Sequence, residues 1–183
     1  MKKYLITSPE FYTDIPEIFT QKLEKQIEKH KPDFVLLRDK ETSHYHVLAV
    51  AFMQVMEKYP AIKAFIHDDI KLAVELKVAG VHLPSNSFDK IEKAKREKLE
   101  VIVSTHNQDE VVTVEKLGAD YVTYSPIFTT PNKGEPKGVE ALSILLAFSD
   151  IHVFALGGIV TDKEVALLCK TKVYGFASIR YFY

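Results

Sequence analysis

The sequence predicts an α/β fold of one class, a compact (β/α)8 TIM barrel formed as a single domain over residues 1–183 and lacking a final helix. Two patterns carry that expectation. Short β-branched or aromatic runs alternate with longer stretches of helical periodicity, as parallel strands joined by crossover helices require. Three junctions also repeat one construction. Lys77-Val78-Ala79-Gly80-Val81, Lys116-Leu117-Gly118-Ala119-Asp120-Tyr121-Val122 and Lys170-Thr171-Lys172-Val173-Tyr174 each end a helix and launch a strand. No long excursion interrupts the series to reverse strand order, so closure into a barrel is favoured over an open sheet.

The first strand falls at 3–8 (KYLITS), and the stretch FTQKLEKQIEKH after it has apolar residues at helical spacing and a charged outer face. Strand two at 34–39 (FVLLRD) leads into YHVLAVAFMQVMEKY, strand three at 63–68 (KAFIHD) into DIKLAVELKV, and strand four at 80–85 (GVHLPS) into FDKIEKAKREKL. Strand five at 101–106 (VIVSTH) precedes QDEVVTVEKLG, strand six at 121–128 (YVTYSPIF) precedes GVEALSILLAF, and strand seven at 152–158 (HVFALGG) precedes TDKEVALLCK. Strand eight at 173–179 (VYGFASI) runs directly into Tyr181-Phe182-Tyr183. Seven helices for eight strands leave the flank of strands eight and one expected to expose an apolar stripe, and this predicts a homodimer that buries it.

Composition narrows the partners. Lys and Arg total 24 against 25 Asp and Glu, a net charge of -1, so nothing draws the chain to nucleic acid or to an anionic membrane. No run approaches the roughly 18 apolar residues of a membrane helix. The single cysteine, Cys169, allows neither an internal disulfide nor a cysteine zinc site, which suits a reducing cytoplasm. All seven glycines lie from Gly80 onward. Loops that bring backbone close to a phosphate usually need glycine, so a phosphate site belongs after the later strands. The long loop 129–138 (TTPNKGEPKG) has the composition of a lid over such a site.

In a barrel of this kind chemistry sits at the C-terminal ends of the strands. The residues expected there are Arg38 and Lys40 after strand two, His67 and Asp68 after strand three, and Ser104 and His106 after strand five. Thr130 and Lys133 follow in the lid, with Gly157-Gly158 after strand seven. Cations, hydroxyls and a glycine turn converging on one mouth suit a small phosphorylated anion. Tyr124, Phe128 and Phe154 read as barrel filling, with Phe128 also close enough to the mouth to touch a ring, and His82 reads as structural.

VLLRDK at 35–40, IHDDIKLAVELKVAGVHL at 66–83, VSTH at 103–106, GADYVTYSPIFTT with Lys133, and ALGGI at 155–159 resemble, in order, the motifs of the thiamine-phosphate synthase and TenI family. The resemblance implies a (β/α)8 barrel of thiamine biosynthesis. Synthases of that family join a hydroxymethylpyrimidine diphosphate to a thiazole phosphate using magnesium, whereas TenI-like members bind the thiazole phosphate and act as thiazole tautomerases. By the resemblance, Arg38 and Lys40 hold diphosphate, Asp68 is the first magnesium carboxylate, and Ser104, Thr130 and Lys133 match synthase positions. Other positions depart. Leu36 replaces a glutamine, His67 an asparagine, Asn132 a lid threonine, and Ser87 stands where the second magnesium aspartate belongs.

The TenI-type catalytic histidine corresponds to Pro126, leaving His67 and His106 as candidate proton carriers. Gly157 and Gly158 supply half of a phosphate cradle, and Ile179-Arg180, in place of an isoleucine-serine pair, offers the Arg180 guanidinium for the other half. The leading expectation is therefore a TenI-like protein that binds a thiazole phosphate with altered catalytic residues. A thiamine-phosphate synthase is the enzymatic alternative, and a non-catalytic phosphate-ligand sensor the third reading.

Overall fold

A computed structural model describes Met1–Tyr183 and closes eight parallel strands in sequence order, with the last pairing back to the first. They are β1 (Lys2–Ile6), β2 (Phe34–Leu37), β3 (Lys63–His67), β4 (Gly80–Leu83), β5 (Glu100–Thr105), β6 (Tyr121–Tyr124), β7 (His152–Leu156) and β8 (Gly175–Ser178). Each stops short of the C-terminal end expected from sequence, because those end residues leave the ladder to build the mouth. The connecting helices are α1 (Pro9–Tyr12), α2 (Pro16–His30), α3 (Tyr45–Met56), α4 (Ile70–Glu75), α5 (Ile91–Arg96), α6 (Gln108–Lys116), α7 (Gly138–Phe148) and α8 (Asp162–Leu168). Side-chain caps fix several starts: Asp69 accepts from Leu72 N–H, Asn107 from Glu110 N–H, and Thr161 with Glu164 forms a capping box. None of these helices is long and apolar enough to cross a membrane.

Strand alternation divides the core into two layers. Val35, Leu37, Ile66, Val81, Val101, Val103, Val122, Val153 and Phe176 point outward and pack under the helices. Tyr4, Ile6, Phe34, Leu36, Phe65, Ile102, Tyr121, Phe154 and Ala177 fill the lumen. Aromatic rings dominate its N-terminal half: Phe34 lies 5.7 Å from Phe65 and 5.0 Å from Phe154, and Tyr4 lies 5.2 Å from Phe154. Gly175 leaves room for them, since a Cβ there would fall 2.6 Å from the Phe154 ring. Below the rings, Lys63 Nζ meets Glu100 at 2.6 and 2.8 Å and donates to the Tyr121 hydroxyl at 3.1 Å. The lumen is thus plugged from that end, and its remaining space opens at the C-terminal ends of the strands.

Three expectations need correction. Tyr124 is not barrel filling, because it falls on the outward parity of β6 and packs in the layer under the helices. A short first helix, α1, was not expected; Pro at its first position starts it. Most consequentially, the β8–β1 flank is not an exposed apolar stripe. The chain turns back after β8 in a 3-10 turn, Arg180–Phe182, and Phe182 stacks on Phe176 at 5.6 Å while Tyr181 meets the same ring edge-on at 5.0 Å. Tyr183 packs 4.7 Å from Phe11 of α1, and Phe182 meets His30 at the end of α2 at 5.4 Å. Leu5, Phe176 and Phe182 are consequently buried, which removes the reason for the homodimer expected from sequence.

Candidate active site

Above the aromatic plug lies a cavity of about 340 Å³, within the range of small-ligand sites. Arg38, Lys40, His67, Ser104, His106, Thr130, Lys133 and Gly157, all expected from sequence, line it together. Gly158 and Arg180 line an adjoining cavity of about 370 Å³ that shares Thr130, Leu156, Gly157 and Ile179 with the first. Arg38 and Lys40 also face Ser8 and Glu10 across the rim. Phe128 lines neither cavity and packs against the layer under the helices, not in the lumen where barrel filling would put it.

The glycine turn is built against the root of the lid. Gly157 has φ +98° and Gly158 φ +70°, and a Cβ on Gly158 would lie 2.6 Å from the Phe128 carbonyl carbon and from Thr129 O. Gly157 O accepts from Phe128 N–H at 3.0 Å, and Leu156 O from Ile127 N–H at 2.9 Å. Both positions therefore need glycine, for handedness and for space. Lys133 in the lid donates its N–H to Thr130 O at 3.2 Å, closing the turn that brings both to the cavity.

Arg38 and Lys40 after β2 and Lys133 in the lid bring cations to the same cavity. Burial lowers the Arg38 pKa, with Asp39 opposing. Lys40 is also lowered, first by burial and then by the Arg38 charge, with Lys133 adding to it and Asp68 opposing. Cations held near one another without an adequate counter-charge are a site for an anion.

His67 is pulled down to about 4, first by burial and then by the charges of Arg38 and Lys40. Its Nδ1 lies 3.2 Å from His82 O, which can only accept, so Nδ1 carries the proton and Nε2 is the free lone pair. At neutral pH it is an uncharged acceptor. His106 has Nδ1 3.2 Å from Ser125 O, and its backbone N–H donates to Glu110 at 2.6 Å.

His82, expected to be structural, is part of the cavity floor. It is 3% exposed and bridges Tyr4 Oη, 2.9 Å from Nδ1, to Ser104 Oγ, 2.9 Å from Nε2. Burial pulls it down to about 3, so the ring is neutral. The buried Tyr4 hydroxyl has no other acceptor and donates to Nδ1, so Nε2–H donates to Ser104. Ser104 is left to turn its own proton toward the cavity. The inward parity of β4, with Val81 and Leu83 outside, was the sequence signal that placed His82 in the lumen.

The magnesium implied by the resemblance has little to hold it. Lys90 Nζ sits 2.7 Å from Asp68 Oδ1, Ser87 offers a buried hydroxyl in place of a carboxylate, and no group of three His, Cys, Asp or Glu side chains gathers anywhere. A hard divalent ion takes several oxygen ligands, carboxylates foremost, so the residues present do not fit it.

The fold and mouth define a (β/α)8 barrel with a cation-lined cavity at the C-terminal ends of its strands. The model of the thiamine monophosphate synthase (TMP-TENI) family matches residues 3–182, and the chain belongs to that family. A putative thiamine-phosphate synthase 2 of Aquifex aeolicus is 33% identical over 98% of this chain and 96% of its own length. The thiamine-phosphate synthase of Lactococcus lactis subsp. lactis (strain IL1403) is 31% identical over 69% of this chain, a match that spans 61% of that protein. Among solved structures, a thiamine phosphate pyrophosphorylase from Pyrococcus furiosus superposes with a TM-score of 0.83 at 26% identity, covering 97% of this chain and 85% of the other.

Proposed function

We propose that this protein is a TenI-like member of thiamine biosynthesis that binds a thiazole phosphate, the phosphate on the Gly157-Gly158 turn and the ring over the floor made by Ser104 and His82. One contrast carries the reading. Gly157, Gly158 and Arg180, the residues read as a phosphate cradle, line one cavity, while the positions that a synthase would use for metal and pyrimidine are altered at Leu36, His67 and Ser87. For a tautomerase step, His67 and His106 are the proton-carrying side chains. His67, held at about 4 by burial and by the Arg38 and Lys40 charges, takes a proton only weakly at neutral pH.

Calorimetry with thiazole phosphate and with hydroxymethylpyrimidine diphosphate tests the reading. Micromolar binding of the first, tighter than that of the second, supports it, and no binding of thiazole phosphate at millimolar concentration overturns it. If the tautomerase rate survives His106→Ala and His67→Ala, the proton-transfer role falls. Thiamine-phosphate synthesis is the second reading, favoured by Arg38, Lys40, Ser104, Thr130 and Lys133 meeting in one cavity and by the names of the relatives. Formation of thiamine phosphate from both substrates with magnesium, abolished by Asp68→Ala, would replace the first reading with it.

A further inference from the structure

Asp68 directly follows β3 on the mouth side, with φ 52° and its backbone N–H on His82 O at 3.1 Å. This left-handed turn, tolerated by aspartate, fixes where the carboxylate departs from the sheet. Lys90 reaches it from the neighbouring β4 connection. Ser87 N–H bonds Pro84 O and Lys90 N–H bonds Ser87 O, each at 3.1 Å, so the chain after β4 folds into the 3-10 turn Phe88–Lys90 and directs the lysine back toward β3. The ammonium ends 2.7 Å from Asp68 Oδ1, with both side chains about one third exposed. By the resemblance Asp68 would be a metal carboxylate, and the Lys90 ammonium takes the place beside it that a metal cation would fill.

The neighbouring charges favour this arrangement. Arg38, Lys40 and Lys133 line the cavity, and Asp68 acts electrostatically on Lys40. Lys90, tethered by Asp68 just beyond the C-terminal end of β3, adds a fourth cation at this end of the barrel to the three that line the cavity. We propose that Lys90 is a built-in cation of this mouth, held by Asp68, and that the site binds phosphate and diphosphate groups without a divalent ion. The proposal rests on the reading of the mouth as a phosphate site, and it deepens that reading by making Lys90, on an element outside the cavity lining, a determinant of metal independence.

Titration of the full-length protein with inorganic pyrophosphate, once in EDTA and once in excess magnesium, tests it. In the wild type, metal-free pyrophosphate should bind at least as tightly as its magnesium complex. Lys90→Gln should weaken metal-free binding about tenfold or more. Magnesium should then recover part of the loss, because Asp68 is released, and a thermal melt within a few degrees of wild type would show the fold is intact. Wild-type binding tightened tenfold by magnesium, or metal-free binding unchanged in Lys90→Gln, overturns the role of Lys90 and leaves the phosphate site standing. Failure of pyrophosphate to bind wild type in either medium overturns the phosphate reading together with it.

Discussion

Replacing Tyr4 by Phe removes one oxygen atom from the hydrogen-bonded chain beneath the cavity and almost nothing else. The ring is fully buried and keeps its neighbours, with Phe154 at 5.2 Å, Phe34 at 5.9 Å and Phe65 at 6.2 Å, so apolar burial is conserved. What is lost is the donor to His82 Nδ1, a nitrogen sealed from water. Leaving a buried acceptor unpaired costs about 1–3 kcal/mol. For a domain of this size each kcal/mol lowers Tm by roughly 2–4 °C, so a loss of about 2 kcal/mol lowers it by roughly 4–8 °C. Urea unfolding should show the same loss with an unchanged m value, since the surface exposed on unfolding is the same. The variant also releases His82 from one tautomer. Nitrogen-15 spectra of labelled histidine should show Nε2–H in the wild type and a mixture in Tyr4→Phe. A wild-type ring protonated at Nδ1, or a stability change below about 0.3 kcal/mol, would refute the polarity assigned to Tyr4, His82 and Ser104.

Two further expectations follow from the same region. His67 and His82 titrate at about 4 and about 3 in the folded protein against an ordinary 6.5, so between those values the unfolded chain binds more protons and stability falls as pH drops below about 6.5. At pH 5 the buried His82 alone contributes a loss of roughly 2 kcal/mol relative to pH 7, to be read from urea midpoints at the two pH values; equal midpoints would contradict it. Gly158→Ala combines a left-handed backbone with a Cβ 2.6 Å from Phe128 and Thr129, so it should weaken pyrophosphate binding at least tenfold. Gly134→Ala, in the same lid with nothing within 4 Å of the added carbon, should bind as wild type does.

Much of the site was legible because the barrel converts sequence position into spatial position. Any polar residue at the C-terminal end of a strand arrives at one mouth, which is why Arg38, His67, Ser104, His106 and Gly157 could be grouped before their distances were known. His82 was missed although its inward parity was readable, because a histidine in an apolar strand has a structural reading as good as a functional one until its two partners are seen. Lys90 was hidden more deeply. It lies in a charged run that reads as a solvated face, and only the 3-10 turn after Ser87 brings its ammonium to Asp68.

The sequence by itself determined the barrel, because strand and helix periods, junctions and loop lengths are local properties that fix order and hence topology. It also grouped Arg38, Lys40, His67, Ser104, His106, Thr130, Lys133 and Gly157, which line one cavity. Tertiary structure alone decided how the β8–β1 flank is covered, since Phe182 meets Phe176 through a turn whose direction no periodicity encodes. It likewise decided the proton polarity of the cavity floor and the partner of Asp68. Those depend on side chains from separate strands and turns meeting within 3 Å, a distance that follows from barrel closure and not from spacing along the chain.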